Sequence, residues 1–276
     1  GVKAFMKRLN EANLQLDGEE DSWVHIKPFA SAGTVGHRLL RSMRDIDEKC
    51  EDGDFPCLAE SHLPGKEFSC EAFIHKGKIR FLNITEYVHL GYSNFIPEGK
   101  HLESKRELIL KHVQKLVDIF GIEYGMVHPE WFLTENDELN FGETACRIPG
   151  GHILELCSKS YEFDALAAFV VCHDPKATEE ELDAIFPPKD FRPNYYNGNV
   201  MIYPRKRQFS RLEIPDKLNN EPYFVDHTLV PPMSSQKISG DRGGFGNHFG
   251  TINFKGEDPD RMRELLLEYE EEDFYI

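Results

Sequence analysis

The chain contains 276 residues, with 48 acidic against 32 basic side chains, a formal net charge of -16 and 40% hydrophobic residues. This length is enough for one large domain or two small ones, each with a buried core. Because no long basic cluster offsets the acidic excess, the composition argues against sequence-independent binding to nucleic acid or to anionic membranes.

The sequence also indicates a compartment. No apolar run approaches the roughly 20 residues that span a bilayer, and the first residues lack the apolar core of a signal peptide. The six cysteines form no C-x-x-C pair, in a chain far larger than disulfide-dense secreted domains. We therefore expect a soluble cytoplasmic protein with reduced thiols.

The first third of the chain is rich in short strand signals. Residues 23–26 form an apolar run that enters a small-residue loop at 28–36, and the pattern after this loop predicts a helix over residues 37–46. Three strand-like runs, of which the last two are joined by a Lys76-Gly77 turn, are predicted to form an antiparallel sheet. They cover residues 57–61, 68–75 and 79–87.

The clearest helical signal begins at Ser104, which forms a capping-box pattern with Glu107. Gly121 is expected to end this helix. Apolar residues recur on one face of it at helical spacing: Ile109, Val113, Leu116, Val117 and Phe120.

The remainder of the chain mixes strands and helices in separate runs. Short strands are also expected up to residue 254, and Pro259 opens a terminal helix. The other predicted elements are strands at 126–134 and 139–146 and helices at 163–171 and 178–185. Because strands and helices do not alternate strictly, the pattern predicts an α+β fold with mostly antiparallel sheets.

A pair of glutamates is the strongest chemical signal. If Asn136-Asp137 forms a two-residue turn, Glu130 and Glu143 are direct cross-strand neighbours, and like charges there are destabilising unless something offsets them. A divalent cation such as Mg²⁺ would do so, and Arg147 would add a fixed cation for a phosphoryl or carboxylate oxygen. The competing interpretation is two solvated glutamates on an exposed sheet face.

A second signal is Lys27 at the end of a strand, followed by Ser31, Gly33 and Gly36 in a loop. Small residues let backbone N–H groups approach phosphate oxygens, and the lysine adds a point charge. Neither the P-loop nor the dinucleotide fingerprint is present. An ordinary flexible loop is the competing interpretation.

The other candidates carry less information. Glu86 and His89 lie three residues apart at the end of a strand, where they could recognise an ammonium and a carboxylate, although a surface pair fits equally well. His128 precedes a proline and is expected to have a structural role. No zinc-site spacing and no nucleophile-with-base motif is present.

Taken in order, these segments resemble the ATP-grasp ligases. Residues 26–36 look like the phosphate loop of that family, and residues 60–67 are similar to its adenine and ribose segment. Residues 128–130 and 142–151 match its metal-binding hairpin. The order and spacing of three separate motifs are more specific than any one of them, and the resemblance implies two α+β subdomains of the ATP-grasp fold.

The resemblance implies a role for each matching residue. Lys27 would bind the ATP phosphates under a mobile loop, while Glu130 and Glu143 would ligate Mg²⁺ or Mn²⁺. Arg147 would stabilise the transferring phosphoryl group. The implied nucleotide contacts also include Ser31, Ala32, Gly33 and Gly36 around the phosphates, Glu60, Ser61 and Leu63 at the adenine, and Glu67 at the ribose.

One departure from the family pattern narrows the match. Many members have an asparagine two residues after the second metal glutamate, whereas this chain has Ala145, which puts a second, tightly held metal ion in doubt. The resulting Glu-x-Ala-x-Arg pattern resembles the dipeptide-forming L-amino-acid ligases. In that branch the amino-acid pocket would be lined by Glu86, His89 and Gly151, and a glycine at the last position leaves room for a large side chain.

The resemblance also implies a division of the chain. Residues 1–90 would form the lid subdomain and residues 91–276 the C-terminal subdomain. Such enzymes normally begin with a further α/β domain, so we expect either that this domain is missing from the sequence or that another chain supplies it. A homodimer is the alternative expectation.

The implied function is an ATP-dependent carboxylate–amine ligase that acts through an acyl phosphate, and the expected small-molecule substrates are amino acids. Two alternatives remain open at this point. One is a nucleotide-binding subunit without catalysis, which Ala145 and the missing domain favour. The other is a carboxylating enzyme of the biotin-carboxylase type.

Overall fold

The computed structural model describes residues 1–31, 33–189, 191–204, 208–232, 236–237 and 248–276. These residues divide into two units, the first spanning Gly1–Pro64 and the second Gly65–Ile238 together with His248–Ile276. The boundary between subdomains expected after residue 90 stays a prediction. No helix in the described ranges is long and apolar enough to cross a membrane.

The first unit is a three-stranded antiparallel sheet with the order β2-β1-β3. One face of this sheet is apolar and packs with two helices around Val24, Ile26 and Leu40. The opposite face carries the polar side chains, because successive residues of a strand point to opposite sides. The elements are α1 (Val2–Glu11), β1 (Val24–Lys27), β2 (Arg38–Leu40), α2 (Met43–Lys49) and β3 (Leu58–Ser61).

The helix predicted over residues 37–46 is wrong in its first half. Arg38–Leu40 is a strand that pairs with β1, and the helix begins only at Met43. Ser42 caps that helix, since its side chain accepts a hydrogen bond from the Asp45 N–H. An N-cap residue marks the start of a helix and has an extended backbone, so the residues before it can belong to a strand. The loop after β1 therefore joins two strands rather than a strand and a helix.

The predicted three-stranded grouping in this region is also wrong. β3 pairs with β1 in the first unit, whereas the next two strands lie in the second unit. The hairpin turn predicted at Lys76-Gly77 is confirmed, since both residues have positive φ angles of 51° and 72°. Local turn chemistry therefore identified the hairpin but not the partner of the third strand.

The second unit contains an eight-stranded sheet with the order β11-β13-β9-β6-β5-β4-β7-β8. Its strand pairings are antiparallel, as predicted. The strands of this unit are β4 (Lys66–His75), β5 (Lys78–His89), β6 (Ser93–Ile96), β7 (Tyr124–Leu133), β8 (Leu139–Ala145), β9 (Tyr196–Met201), β10 (Gln208–Phe209), β11 (Phe224–His227), β12 (Gln236–Lys237) and β13 (Thr251–Gly256), of which β10 and β12 pair separately.

Helices cover parts of both faces of this sheet. The predicted helix at 104–120 is α4, which packs its buried residues Ile109 and Val113 on one face. α5 and α6 contact the sheet through separate clusters that include Phe73 and Ile96. The helices are α3 (Lys100–Glu103), α4 (Arg106–Phe120), α5 (Ile153–Tyr161), α6 (Ala165–Cys172), α7 (Glu179–Ile185), α8 (Asp216–Asn219) and α9 (Pro259–Glu270).

The start of α4 differs from the prediction. The Ser104 hydroxyl donates to the His101 carbonyl instead of capping α4, because the short helix α3 ends immediately before it. Phe120 is 60% exposed, so it lies outside the predicted buried face. Gly121 does end the helix in the left-handed conformation, as expected. The helices α1 and α5 had no counterpart in the prediction.

Candidate functional site

The hairpin of β7 and β8 places Glu130 directly opposite Glu143, as predicted. The reason differs from the predicted one. The turn contains three residues, 135–137, with Asp137 at a φ of 64°, which alone would pair Glu130 with a different residue. Gly142 is an extra residue in β8, since Trp131 pairs with Phe141 while Glu130 pairs with Glu143.

The bulge favours glycine at position 142. A Cβ atom there would lie 2.9 Å from the Phe132 ring and 3.1 Å from the Glu130 carbonyl oxygen. Beta bulges redirect side chains at functional sites. In this hairpin the bulge restores the cross-strand pairing of the two carboxylates.

Residues from four neighbouring strands share the sheet face of Glu130. Ser69 pairs with Glu130 on one side and with Thr85 on the other, so these residues point to the same face. Glu67 lies two residues before Ser69 and shares this face. Ala145, at the position where an asparagine was expected, lies opposite His128. The predicted ribose residue and the two metal carboxylates are therefore on one face.

A fully buried carboxylate, Glu71, lies next to this pair. Its Oε1 accepts hydrogen bonds from the Ser69 hydroxyl at 2.9 Å and from His128 Nδ1 at 3.0 Å. Its Oε2 accepts from the Thr85 hydroxyl at 2.7 Å and from the Asn83 amide. Four donors from three strands thus surround one buried charge, as burial of a charge requires.

His128 connects Glu71 to the candidate metal carboxylate. Its Nε2 lies 3.6 Å from Glu130 Oε1, which also accepts a hydrogen bond from the Tyr87 hydroxyl at 3.2 Å. Burial alone would lower the pKa of His128, but the contacts with Glu130 and Glu71 outweigh burial and raise this pKa to about 9. Burial, with the charge of Glu130, raises the pKa of Tyr87 well above its usual range. His128 is therefore a cation between two carboxylates at neutral pH.

Arg147 and Gly151 follow β8 in the segment that leads to α5. The Arg147 side chain is exposed and donates to the Ile148 carbonyl at 2.9 Å. Gly151 has a φ of 63°, and its carbonyl accepts from the amides of Asn94 and Asn199 at 3.4 and 3.0 Å. The sheet thus anchors the backbone of this segment four residues beyond the arginine.

Glu86 and His89 have other surroundings. Glu86 is buried on the opposite face of β5, where it forms ion pairs with Lys66 at 2.7 Å and Arg263 at 2.6 Å. His89 contacts Glu270 on α9 and stacks on the Tyr92 ring. The structure gives both residues partners within the fold, and their predicted role in amino-acid recognition stays a prediction.

In the first unit, Lys27 forms an ion pair with Glu60 at 2.8 Å across β1 and β3. The loop after Lys27 is a series of turns in which Gly33 and Gly36 have φ angles of 58° and 75°. The Ser31 hydroxyl donates to the Val35 carbonyl at 2.6 Å. The structure therefore brings the predicted phosphate lysine and the first adenine-segment residue together.

The other residues of this unit that are predicted to bind the nucleotide follow Glu60 closely in the sequence. Ser61 is the last residue of β3 and pairs with Val24, while Leu63 follows the strand and is half-buried. Ala32 lies outside the described residues. The nucleotide roles of all these residues stay predictions.

Three histidines extend along the polar face of the same sheet. His25 Nδ1 lies 2.7 Å from His37 Nε2, and His25 Nε2 lies 2.9 Å from His62 Nδ1. The ring planes differ by only 5° and 12°. Burial, together with the charges of His37 and His62, lowers the pKa of His25 to about 4. At neutral pH His25, the central residue of this row, is therefore uncharged. It lies two residues before Lys27.

The donor set fits a magnesium or manganese ion that also binds a nucleotide. Within the ranges that the structure describes, no group of three or more acidic, histidine or cysteine side chains is arranged to hold a metal by itself. Two carboxylates with phosphate oxygens are, however, the usual environment of Mg²⁺ in nucleotide-dependent enzymes. The carboxylates of Glu130 and Glu143, which lie opposite each other on β7 and β8, would supply the two protein ligands, and this role stays a prediction.

Sequence reasoning missed Glu71 and Tyr87. The signal for Glu71 is present, because a single charged residue interrupts the run Phe-Ser-Cys-Glu-Ala-Phe-Ile at residues 68–74 in a strand that is otherwise apolar or small. Acidic residues are almost never fully buried unless they are paired. Tyr87 carries no comparable signal, since tyrosine is common in strands.

Comparison with known proteins adds independent information. No family model matches the sequence. The L-arginine-specific L-amino acid ligase of Bacillus subtilis is 23% identical over an alignment of 184 residues that covers 60% of this chain and 45% of that protein. The chain therefore spans less than half the length of this relative.

Solved structures match over nearly the whole chain. L-amino acid ligase from Bacillus licheniformis has a TM-score of 0.72 at 16% identity, covering 97% of this chain and 65% of that one. The biotin carboxylase domain of 2-oxoglutarate carboxylase from Hydrogenobacter thermophilus, solved with MgADP and bicarbonate, has a TM-score of 0.56 at 14% identity, over 87% of this chain and 55% of that one. The chain has the ATP-grasp fold, which confirms the predicted fold and α+β class.

Proposed function

We propose that this chain is part of an ATP-dependent carboxylate–amine ligase, which forms an amide or a dipeptide and releases ADP and phosphate. The observation that supports the proposal most directly is that Glu130 and Glu143 lie opposite each other on one hairpin, with Arg147 after its second strand. The fold shared with L-amino acid ligases supports it. Because the chain spans only part of those relatives, the activity of the whole protein is a proposal.

The first unit would contribute to ATP binding. Lys27 supplies a positive charge for the phosphate oxygens. When the nucleotide binds, these oxygens replace Glu60 as the ion-pair partner of Lys27. The turns at Gly33 and Gly36 allow backbone N–H groups to approach the phosphates. Residues 60–63 would hold the adenine.

Glu130 and Glu143 would hold Mg²⁺ or Mn²⁺, which neutralises phosphate charge when it is bound. The rigid hairpin fixes the two carboxylates before the ion arrives, which lowers the cost of ordering them. Arg147 adds a guanidinium that is permanently charged. Its position after β8 makes it the residue that we assign to the transferring phosphoryl group.

The reaction needs no protein nucleophile. A carboxylate oxygen of the first substrate attacks the γ-phosphorus of ATP, the bond to the bridging oxygen breaks, and ADP leaves. The amine nitrogen of the second substrate then attacks the acyl carbon, phosphate leaves, and the nitrogen loses a proton. Positioning and charge neutralisation by Lys27 and Arg147 account for the rate enhancement.

The substrates that we propose are amino acids. The protein matched by sequence and the solved structure matched by fold are both described as L-amino acid ligases, the former specific for L-arginine. Gly151 fits a pocket for a large side chain, since it places no side chain of its own beside the Asn94 amide. Glu86 and His89 are weaker candidates for the ammonium and carboxylate, because both contact charged residues within the fold.

One observation favours a second candidate, a nucleotide-binding subunit without catalysis. Ala145 faces His128 at the position where many ATP-grasp enzymes supply an asparagine oxygen. Without that ligand, a second metal ion would bind more weakly. The retention of Lys27, Glu130, Glu143 and Arg147 together argues for catalysis.

The test is release of ADP and phosphate from ATP and Mg²⁺, with amino acids added singly and in pairs. We expect turnover that requires two amino acids and that is lost in Glu143→Gln. Tight nucleotide binding without stimulation by any carboxylate or amine would support the non-catalytic subunit. Stimulation by bicarbonate would instead identify a carboxylating enzyme of the kind represented among the solved structures.

A further inference from the structure

We propose that Glu71 is a positioning residue for the metal carboxylate Glu130 and that it acts through His128. The proposal rests on the metal-binding role that we propose for Glu130. It adds to that role a buried residue that would not itself contact the metal or the nucleotide.

The contacts form a continuous chain from the sheet interior to the metal pair. Glu71 Oε1 accepts a hydrogen bond from His128 Nδ1 at 3.0 Å, and His128 Nε2 lies 3.6 Å from Glu130 Oε1. Both nitrogens of the ring therefore face carboxylates, which fixes the rotation of the imidazole. The Tyr87 hydroxyl donates to the same oxygen of Glu130 at 3.2 Å, so two groups hold that oxygen in place.

Glu71 is itself held rigidly. The hydroxyls of Ser69 and Thr85 and the amide of Asn83 donate to its two oxygens, and these residues are fully buried. A carboxylate with four donors on three strands cannot rotate without breaking several hydrogen bonds. This rigidity is transmitted through His128 to the carboxylate that would ligate the metal.

A structural purpose alone does not explain the arrangement. Burying an ion pair contributes little net stability compared with apolar residues of the same volume. The neighbouring position Phe73 on the same face of β4 is apolar and packs in a core cluster. The charged group occurs instead beside the hairpin that carries Glu130 and Glu143. Carboxylates that ligate metals are commonly held by neighbouring polar groups, as Tyr87 and His128 hold Glu130 here.

The test measures Mn²⁺ binding to the 276-residue chain in the presence of ADP, by electron paramagnetic resonance of the unbound ion. We expect Glu71→Gln, which keeps the side-chain volume, to weaken Mn²⁺ binding by roughly 10- to 100-fold. The double variant Glu71→Gln/His128→Gln should bind no more weakly than His128→Gln alone, because two residues that act through one contact are not additive. Additive losses would overturn the proposed route through His128.

Glu98→Gln is the matched control. Glu98 is also a buried carboxylate, paired with Arg106 at 2.9 Å, and it lies outside the proposed site. We expect this variant to bind Mn²⁺ like the unmodified chain even where its thermal stability falls. An equal loss in Glu98→Gln and Glu71→Gln would show a general effect of destabilisation and would overturn the inference.

Two further variants keep the result interpretable. If Glu71→Gln does not fold, Ser69→Ala removes one donor to Glu71 Oε1 and should weaken Mn²⁺ binding several-fold; unchanged binding there would overturn the inference. If Glu143→Gln weakens Mn²⁺ binding but Glu71→Gln does not, the inference fails while the metal site stands. If Glu143→Gln also binds normally, the proposed metal site fails, and the inference with it.

Discussion

Glu130 and Glu143 face each other across a hairpin whose three-residue turn would misalign them, and a single extra residue, Gly142, restores their pairing. Two like charges at such positions destabilise a sheet unless a cation offsets them. We propose that Mg²⁺ or Mn²⁺ is that cation, and that the bulge, where a Cβ atom at Gly142 would displace the Phe132 ring, keeps the two carboxylates paired for it.

Replacing one member of this pair tests the metal assignment. We expect Glu143→Gln to lower ADP release by at least about 100-fold, because a neutral amide is a poor ligand for Mg²⁺ and the phosphate charge is then not offset. The Glu143 side chain is exposed, so circular dichroism and thermal unfolding should change little. Glu135→Gln, in the turn of the same hairpin, is the control and should retain full activity. Undiminished turnover in Glu143→Gln would refute the assignment.

Lys27 and Glu60 allow a separate test of nucleotide binding. Since both side chains are partly exposed, their ion pair contributes less than about 1 kcal/mol to stability. We therefore expect Lys27→Met to weaken ATP binding by roughly 10-fold or more, measured by calorimetry, with little change in the free energy of unfolding. Lys49→Met, which removes an exposed ion pair with Asp45 in the same unit, should bind ATP normally. Equal affinity in both variants would remove Lys27 from the site.

Local patterns in the sequence predicted much of the fold but not its long-range pairings. The Lys76-Gly77 turn and the helix before Gly121 depend on residues within a few positions of each other, and both predictions are confirmed. Residues 38–40 form a strand only because β1 offers them a partner, and no local signal reports that partner. The helical pattern over residues 37–46 cannot resolve this competition, because it does not report a strand partner.

The candidate site shows the same limit. Glu130 and Glu143 were paired from turn length and strand alternation, although two deviations, a longer turn and a bulge, cancelled each other. Glu71 was missed because its partners, Asn83 and His128, are distant in the chain and meet it only in the folded sheet. Pairings across strands therefore decide which polar residues act together.

Gly151 provides a test of substrate size. Its φ of 63° strains any side chain there by roughly 1–2 kcal/mol, and an added Cβ atom would be in ordinary contact with Asn94, Met201 and Ile153 at 3.4 to 3.8 Å. We expect Gly151→Leu to reduce kcat/KM for amino acids with large side chains by about 10-fold relative to alanine. Gly150→Leu should leave this ratio unchanged, because a Cβ at Gly150 meets open space. An unaltered ratio in Gly151→Leu would place the pocket elsewhere.

The histidine row predicts an acid-sensitive first unit. The pKa of His25 is about 4 in the folded chain, against about 6.5 for an unperturbed histidine. As the pH falls from 6.5 to 4, the unfolded chain takes up a proton that the folded chain does not, so the free energy of unfolding decreases. Above pH 6.5 this histidine contributes no pH dependence.

Urea unfolding at several pH values measures this effect in a Trp131→Phe background, where the fluorescence of Trp23 reports on the first unit, since the chain has two tryptophans. We expect His25→Gln, which can still donate to or accept from its two neighbours, to unfold with a weaker dependence on pH between 6.5 and 4. His101→Gln removes an exposed histidine of the second unit and should keep the original dependence. If His25→Gln loses stability on acidification as steeply as the parent, then His25 is not the group that takes up the proton on unfolding. The acid sensitivity of the first unit would then have another cause.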